Sequence, residues 1–168
     1  MQRRGFIAGL AGLFATYSIA EAADTKVTPT PALPQGGGSI QKLKLSDDEW
    51  KKRLTPEQYA TLRHEATERA GTSPLNSEHR KGTFVCAGCD LPLFKSDTKF
   101  ESGTGWPSFF DYIPGSLEKK TDFLLIVPRT EYHCARCEGH QGHVFDDGPK
   151  PTGKRYCNNG VALKFIAA

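Results

Sequence analysis

The sequence predicts a mainly β domain of antiparallel sheets with short helices at its N-terminal end. Two helix-start motifs lie between residues 46 and 58. After residue 80 the helical spacing of apolar residues gives way to short runs rich in Val, Ile, Phe and Tyr, which Gly, Pro and Asp interrupt. Two Cys-x-x-Cys motifs accompany these runs and can hold distant hairpins together.

The composition fits one globular domain with appendages. The chain has 168 residues, of which 38% are hydrophobic and 24% charged, and this excludes a disordered or fibrous protein. The net charge of +3 is small and evenly spread, so nucleic acid is not an expected partner. The longest apolar stretch is shorter than the ~20 residues that a spanning helix needs, so no stable membrane insertion is expected.

Residues 1–22 have the features of an export signal. Arg3 and Arg4 precede an apolar run, and Ala20–Ala22 has the small-x-small pattern of a signal-peptidase site. Phe6, two residues after the arginine pair, completes a pattern typical of the bacterial Tat signal. The alternative is an ordinary Sec signal or a membrane anchor. We therefore predict a mature protein in the bacterial periplasm.

A linker and one folded domain follow the signal. Residues 23–42 are rich in Pro, Gly and small polar residues. Such a segment buries too little apolar surface to offset its ordering entropy, so it is predicted to be a flexible tether. The folded domain is predicted over residues 43–168, a length that permits one modest core.

Both helix-start motifs are capping boxes. Ser46 with Glu49 forms the first, and Thr55–Gln58 forms the second, with Pro at the favoured first helical position. Apolar residues continue near helical spacing to Ala66, and Gly71 is expected to end the pattern.

Six short runs have the composition of β-strands. These are Gly82–Ala87, Phe109–Ile113, Asp122–Pro128, Thr130–Ala135, Gly142–Phe145 and Val161–Ile166. The short spacing between them favours antiparallel pairing, with the loops available for function.

Four of the five cysteines form two Cys-x-x-Cys motifs, 44 residues apart: Cys86, Cys89, Cys134 and Cys137. Zinc in structural sites takes four thiolates tetrahedrally at ~2.3 Å and then has no position left for water. The motifs therefore predict a structural zinc site, with Gly88 permitting the tight turn of the first motif. Two disulfides are the alternative that an exported protein allows, and a thioredoxin-like redox motif is a third.

The fifth cysteine, Cys157, lies in the polar and basic segment Lys154–Gly160. Nearby cations favour the reactive thiolate, although a lone Cys is more often a buried apolar residue. His140 and His143 offer imidazoles for proton transfer, and His140 has packing beside a Cys-x-x-Cys motif as its alternative. A Cys–His pair suits acyl transfer as readily as redox chemistry, so the pair alone leaves the reaction open.

Five motifs in order resemble those of one family: Leu54–Tyr59, Cys86–Cys89, Lys99–Phe109, Gly142–Phe145 and Arg155–Asn159. Together they resemble the B-type methionine sulfoxide reductases, the peptide-methionine (R)-S-oxide reductases, over nearly all of residues 45–166. The resemblance implies a mainly β fold of two antiparallel sheets with short N-terminal helices. It also implies one structural Zn²⁺ per chain, held by the four paired cysteines opposite the active site.

The resemblance assigns catalytic roles to four residues. Cys157 matches the nucleophile and His143 the catalytic imidazole, with His140 as its companion on the same strand. Asn159 matches a residue that helps to orient the substrate and the imidazoles.

Substrate contacts follow from the same resemblance. Trp106 matches the ring that receives the methyl group of methionine sulfoxide, and Phe109 is expected to widen that apolar wall. Core packing is the alternative for Trp106. Gln141 and Asn158 replace apolar residues that are usual in the family, which leaves the fine substrate preference open.

The resemblance implies thiol-dependent reduction of methionine (R)-S-oxide in proteins or peptides, through a sulfenic acid on Cys157. Thr104 stands where many members carry a recycling cysteine, so an external thiol is expected, such as a thioredoxin-like protein or another dithiol. A monomer is expected. The alternatives are a zinc-stabilised binding module with an inert Cys157 and a Cys–His hydrolase.

Overall fold

The structure is a computed structural model that describes residues 40–122 and 129–168. The predicted signal and the predicted linker up to residue 39 lie outside the described residues, as do residues 123–128 of the predicted strand Asp122–Pro128. Within the described ranges, no helix is long and apolar enough to cross a membrane.

Two short α-helices are described, α1 (Asp47–Arg53) and α2 (Pro56–His64). Both predicted capping boxes are confirmed. The Ser46 N–H donates to the Glu49 carboxylate at 2.8 Å. The Gln58 N–H donates to the Thr55 hydroxyl at 3.2 Å, and the Gln58 side chain accepts from the Thr55 N–H at 3.1 Å. The local hydrogen bonds that the sequence encodes therefore start both helices.

Helix α2 ends earlier than the sequence predicted. Glu65 adopts a left-handed backbone with φ 58°, and this C-cap terminates the helix at His64. The predicted extension to Ala66 is wrong, since residues beyond Glu65 form an irregular loop. That loop, residues 66–73, contacts Trp106 and Asn159. Buried Trp50 and Leu62 attach the two helices to the core.

The strands of the described residues form two antiparallel sheets, which confirms the predicted fold class. The smaller sheet has the order β2-β1-β9 and contains β1 (Gly82–Cys86), β2 (Pro92–Lys95) and β9 (Leu163–Ala167). The larger sheet has the order β3-β4-β8-β7-β6-β5 and contains β3 (Lys99–Phe100), β4 (Ser108–Phe109), β5 (Leu117–Asp122), β6 (Arg129–Cys134), β7 (His140–Phe145) and β8 (Arg155–Asn158).

The strand predictions for β1, β6, β7 and β9 are confirmed to within two residues. The predicted strand Phe109–Ile113 is wrong beyond Phe109, and β2, β3 and β8 were not predicted. Strand β5 begins at Leu117, ahead of the predicted run. Strand β5 is an edge strand of the larger sheet, and its middle residues are exposed Glu, Lys and Thr. This polar composition is not the one by which the other strands were predicted.

Aromatic rings from both sheets form the centre of the core. Phe94 of the smaller sheet stacks on Phe109 of the larger one with ring centroids 4.1 Å apart, and Phe84 meets Phe109 edge-on at 4.9 Å. Tyr132 and Tyr156 complete the cluster at 5.4 Å from each other. Because Tyr156 points into this core, the next residue on β8 points to the opposite face of the sheet.

Candidate active site

Cys157 and His143 lie side by side on the outer face of the larger sheet. They are Cα partners on the paired strands β8 and β7, and such partners have Cβ atoms about 4.5–5.5 Å apart. The neighbouring partners, Tyr156 and Val144, pack against the core. Strand alternation therefore gives the cysteine and the imidazole a common face.

Gly142 allows this close approach. A Cβ atom added at Gly142 would lie 1.9 Å from the backbone oxygen of Cys157. No other side chain fits there without moving one strand away from the other, so the glycine of the Gly-His-Val-Phe motif keeps His143 against the Cys157 strand.

Asp122 orients the imidazole of His143. The His143 Nε2 atom lies 2.7 Å from Oδ2 of Asp122, and Arg129 donates from Nη2 to the same oxygen at 2.7 Å. Asp122 is 6% exposed, so water screens these contacts poorly. Nδ1 is then the ring nitrogen that does not contact this carboxylate, and it remains available for proton transfer.

Burial sets the resting protonation of His143. Loss of hydration lowers the pKa of His143, and the nearby Arg129 and His140 act in the same direction. The hydrogen bond to Asp122 opposes this shift without cancelling it. The imidazole is therefore neutral near pH 7, with a carboxylate ready to stabilise the imidazolium once a proton arrives.

The pKa of the Cys157 thiol is raised above its usual value, chiefly because burial penalises the thiolate. Thr104, Arg155 and Ser108 pull the pKa of Cys157 down, but less strongly. The neighbouring cation Arg155 favours the thiolate, as the sequence predicted, but burial has the larger effect, so Cys157 is a thiol in the resting protein. Part of the reason is that the Arg155 guanidinium already forms a two-pronged pair with Asp147, at 2.8 Å for each bond.

A cavity of about 120 Å³ opens beside Cys157. Its lining comes from strands β6, β7 and β8, the residue after β8, the loop after α2 and the loop before β4: Thr67, Trp106, Arg129, Gly142, His143, Phe145, Cys157, Asn158 and Asn159. The structure thus brings together Cys157, His143, Asn159 and Trp106 from the residues that the sequence singled out. An apolar wall and a thiol beside an imidazole suit a small substrate group with a polar reacting atom.

Phe109 does not line this cavity. Its ring is fully buried between Phe84 and Phe94 in the core, so the predicted substrate contact is corrected. The aromatic ring that lines the cavity in addition to Trp106 is Phe145. The alternation of strand β4, a pattern too short to see in the sequence, turns the Phe109 ring inward.

His140 lies behind His143 and outside the Cys157 cavity. It is 3% exposed, its Nδ1 lies 2.8 Å from Oε1 of Glu131, and its ring meets His143 edge-on with centroids 5.6 Å apart. This placement gives His140 a packing contact with the ring of His143. Of the two imidazoles, His143 is the one that lines the Cys157 cavity.

Thr104 occupies the position beside the nucleophile candidate. Its hydroxyl oxygen lies 4.0 Å from the Cys157 sulfur, and Ser102 connects it to Ser108 through hydroxyl contacts of 2.8 Å each. The described residues contain all five cysteines, and none of them is in a disulfide.

The four paired cysteines meet at one point. Their sulfur atoms lie within 4.8 Å of one another, and all four residues are buried. The Cys86 and Cys137 sulfurs are 3.6 Å apart, as against 3.5 Å for Cys89 and Cys134. A tetrahedral zinc with bonds of ~2.3 Å requires edges in this range, so the sulfur set fits the ion. Each motif follows a strand of a different sheet, so a bound metal would tie the two sheets together.

The two motifs share one backbone geometry. The residue after each second cysteine, Asp90 or Glu138, has a positive φ of 59° or 60°. Its N–H returns to the carbonyl of the first cysteine, at 2.9 Å in both cases. Gly88 has no such backbone angle, so its expected conformational role is wrong. At Gly139 the space beside the cluster is tighter, since a Cβ there would lie 2.9 Å from the end of the Leu62 side chain and 3.3 Å from the Cys137 sulfur.

Gln141 of β7 contacts both the cysteine cluster and the segment that follows Cys157. Its side-chain nitrogen lies 3.4 Å from the Cys86 sulfur. Its backbone oxygen accepts from the backbone and side chain of Asn159 at 2.8 and 3.1 Å. The buried Asn158 side chain meets the Tyr132 hydroxyl at 2.8 Å. The polar residues that depart from the family pattern are therefore hydrogen-bonded within the core.

Sequence reasoning missed Asp122 and Glu68. Asp122 stood at the edge of a predicted strand, and Glu68 lay in a segment predicted as helix. Trp106 donates from its indole nitrogen to the Glu68 carbonyl at 3.1 Å, and Asn159 accepts from the Glu68 N–H at 3.0 Å. No local pattern marks either acid, because each meets its partners only through contacts distant in the chain.

Comparison with known proteins defines the class. The SelR domain model matches residues 54–167. A peptide methionine sulfoxide reductase MsrB from Leptospira interrogans is 54% identical over 121 residues, which cover 71% of this chain and 92% of that protein. MsrB of Agrobacterium fabrum is 51% identical over 125 residues, or 74% and 93% of the two chains.

A plant relative extends the similarity further along the chain. The chloroplastic peptide methionine sulfoxide reductase B1 of Arabidopsis thaliana is 48% identical over 153 residues, 90% of this chain and 76% of that protein. The fold, the Cys–His site and these matches place the protein among thiol-containing oxidoreductases. Within that class, the chain belongs to the SelR family, the B-type methionine sulfoxide reductases.

Proposed function

We propose that this chain reduces methionine (R)-S-oxide in peptides and proteins to methionine, with Cys157 as the nucleophile. The observation that carries the proposal is the pairing of Cys157 with His143 on adjacent strands, facing one cavity together with Trp106. A binding module would need no such pairing. Membership of the SelR family favours sulfoxide reduction over acyl transfer.

The chemical step begins with a proton transfer. His143 accepts the Cys157 proton, and the imidazolium is stabilised by Asp122. The thiolate attacks the sulfoxide sulfur while the imidazolium returns the proton to the sulfoxide oxygen. This attack forms a transient S–S bond between Cys157 and the substrate. The hydroxyl group then moves from the substrate sulfur to the Cys157 sulfur while the S–S bond breaks, so the substrate S–O bond is replaced by an S–O bond on Cys157. The products are methionine and a Cys157 sulfenic acid. The cysteine sulfur is oxidised by two electrons, and the substrate sulfur is reduced by two.

The methyl group and the polar end of the substrate need separate surfaces. Trp106 and Phe145 supply the apolar wall for the methyl group. Asn159, which is 4% exposed, is held rigidly through Gln141 and supports the polar side of the cavity. The orientation of the two surfaces about Cys157 gives a basis for selecting one sulfoxide epimer.

An external dithiol regenerates Cys157. One thiolate of the reductant attacks the Cys157 sulfur, the hydroxyl group of the sulfenic acid leaves as water, and a mixed disulfide forms. The second thiol of the reductant then attacks this mixed disulfide and releases Cys157. The Thr104 hydroxyl oxygen lies 4.0 Å from the Cys157 sulfur, but threonine has no thiol that could resolve the sulfenic acid. The other four cysteines lie together in a separate cluster. A thioredoxin-like protein is the proposed partner.

The cysteine cluster is proposed to hold one structural Zn²⁺. Four buried sulfurs, within 4.8 Å of one another, form a donor set that suits zinc and leaves no coordination position for a substrate. The bound ion would supply folding free energy and no chemical step.

Replacing Asp122 with Asn should lower kcat/KM by roughly 10- to 100-fold, part of the ~10² to 10⁴-fold that positioned proton transfer supplies. Asn keeps a hydrogen-bond partner for His143 but removes the charge that stabilises the imidazolium. That charge opposes the lowering of the His143 pKa, so the pKa of His143 should fall further. The acidic limb of the kcat/KM profile, where His143 becomes protonated in the free enzyme, should move to lower pH.

Asp146→Asn is the matched control, since Asp146 is an exposed carboxylate that pairs with a cation, Lys154. This variant should retain the wild-type profile. An Asp122→Asn enzyme with the same plateau and the same acidic limb as Asp146→Asn would contradict the proposed role of His143.

We also propose export to the periplasm in folded form. The motifs that support this are the Arg3–Arg4 pair and the Ala20–Ala22 site. Tat export of a folded protein would allow metal to load in the reducing cytoplasm before the thiols reach an oxidising compartment.

Changing Arg3 and Arg4 together to Lys should leave the uncleaved precursor in the cytoplasm, because Tat recognition requires the arginine pair. Fractionation followed by immunoblotting measures the distribution and the size of the chain. A control that changes Lys42 to Arg preserves charge outside the signal and should export normally. Continued export of the double variant would exclude the Tat signal.

A further inference from the structure

We propose that Glu68 is a positioning residue that holds Trp106 and Asn159 in register around Cys157. Glu68 lies in the loop after α2 and contacts two segments that are far apart in the chain, one at Trp106 and the other at Asn159–Val161. The inference rests on the proposed roles of Trp106 and Asn159 in the cavity, and it adds a residue outside the motifs that defined those roles.

The carboxylate of Glu68 anchors the loop to the chain that follows the nucleophile. One carboxylate oxygen accepts from the Val161 N–H at 3.0 Å, and the other accepts from the Gly160 N–H. These are charge-assisted bonds, which are stronger than neutral ones. Gly160 and Val161 start the short turn directly after Asn159, so the anchor lies three residues from Cys157.

The backbone of Glu68 carries the two recognition residues. Its N–H donates to Oδ1 of Asn159 at 3.0 Å, and its carbonyl accepts from the Trp106 indole at 3.1 Å. A single peptide segment therefore sets the distance between the apolar wall and the polar side of the cavity. The carboxylate fixes where this segment lies, because it ties the same residue to Gly160.

Two further contacts show that the loop and the Trp106 segment pack as one unit. The Gly71 N–H donates to the Gly105 carbonyl at 2.7 Å. A Cβ at Gly160 would lie 1.9 Å from the Ser73 hydroxyl oxygen, so the loop rests directly on the turn after Asn159. Removal of the Glu68 carboxylate would leave these contacts without their charged anchor.

The test combines steady-state kinetics with the indole NMR signals of the two tryptophans, assigned with Trp106→Phe. Glu68→Ala should shift the Trp106 indole signal and leave that of Trp50 in place. It should also lower kcat/KM by about 10- to 100-fold, as displacement of positioning groups does, with a larger change in KM than in kcat. Glu68→Gln keeps an acceptor oxygen and should recover activity to within about threefold of wild type.

Glu57→Ala is the matched control, because Glu57 is an exposed acid that lines, together with Glu68, a second cavity distinct from the Cys157 cavity. It should change neither signal. If Glu68→Ala loses only thermal stability, with KM and the Trp106 signal unchanged below the transition, Glu68 is structural and the inference is wrong. If Glu68→Ala does not fold, Glu68→Asp decides, because its carboxylate is one methylene shorter and cannot reach the Gly160 and Val161 N–H groups unless the loop moves. A wild-type indole signal with an unchanged KM in that variant would overturn the inference. The indole shift tests the anchor even if no sulfoxide is reduced, so failure of the proposed function is recognised separately.

Discussion

Cys157→Ser should reduce kcat/KM for a methionine sulfoxide peptide by more than about 1,000-fold, since nucleophile removal in enzymes has effects of this order or larger. A serine hydroxyl ionises far less readily than a thiol and cannot form a sulfenic acid. Separated R and S epimers, assayed with excess dithiol, measure the effect. The variant should bind zinc as the wild type does, because Cys157 lies outside the four-cysteine cluster.

Wild-type enzyme without reductant gives a sharper form of the same prediction. It should release one methionine per active site and then stop, with a sulfenic acid on Cys157 that a trapping reagent labels. Thr104→Cys is the informative variant, because position 104 lies beside the Cys157 sulfur. It should convert the sulfenic acid to an internal disulfide and remove the label. A wild-type disulfide between Cys157 and a cluster cysteine, with zinc released, would exclude both the external recycling and the structural zinc.

Cys86→Ser should unfold the domain or lower its unfolding temperature severely, with loss of the bound zinc. Structural zinc contributes about 10–16 kcal/mol of binding free energy in small domains, whereas the net stability of a domain is about 5–15 kcal/mol. Cys86 lies at the end of β1, fully buried, with Cys137 and Gln141 within hydrogen-bonding distance of its sulfur. Thermal unfolding and metal analysis of the purified protein measure both effects.

The matched control for that experiment is Cys157→Ser, the same chemical change at the fifth cysteine. It should keep about one zinc per chain and the wild-type unfolding temperature. A Cys86→Ser protein that stays folded and active, or a wild-type protein with no zinc and two mapped disulfides, would show that the cluster does not bind a structural ion.

Burial explains why the resting site is less reactive than its sequence indicates. The basic residues before Cys157 favour a thiolate, yet the loss of hydration outweighs Arg155 and raises the pKa of Cys157. The same loss of hydration lowers the pKa of His143, because the charged form of His143 is a cation. Both groups are therefore neutral at rest, and in the proposed mechanism the reactive ion pair forms by proton exchange between them.

Local sequence determined the elements whose signals act over a few residues. The capping boxes at Ser46 and Thr55 encode their own hydrogen bonds, and the Cys-x-x-Cys motifs encode their own turns, so both were predicted without knowledge of the fold. The order of motifs through Cys157 also identified the family. Short polar strands escaped prediction, since β8 owes its place to pairing with β4 and β7.

Only the tertiary structure decided which groups surround the sulfur. The sequence by itself indicated Cys157 and His143 through the chemistry of a thiol and an imidazole, and it indicated Asn159 and Trp106 through the resemblance to the family. Asp122 became the partner of the imidazole, and Glu68 the anchor of the loop, through contacts between segments far apart in the chain. Phe109 was turned into the core by strand alternation. The reason is physical: distance, burial and hydrogen-bond partners depend on how strands pair and loops pack, and no window of neighbouring residues contains that information.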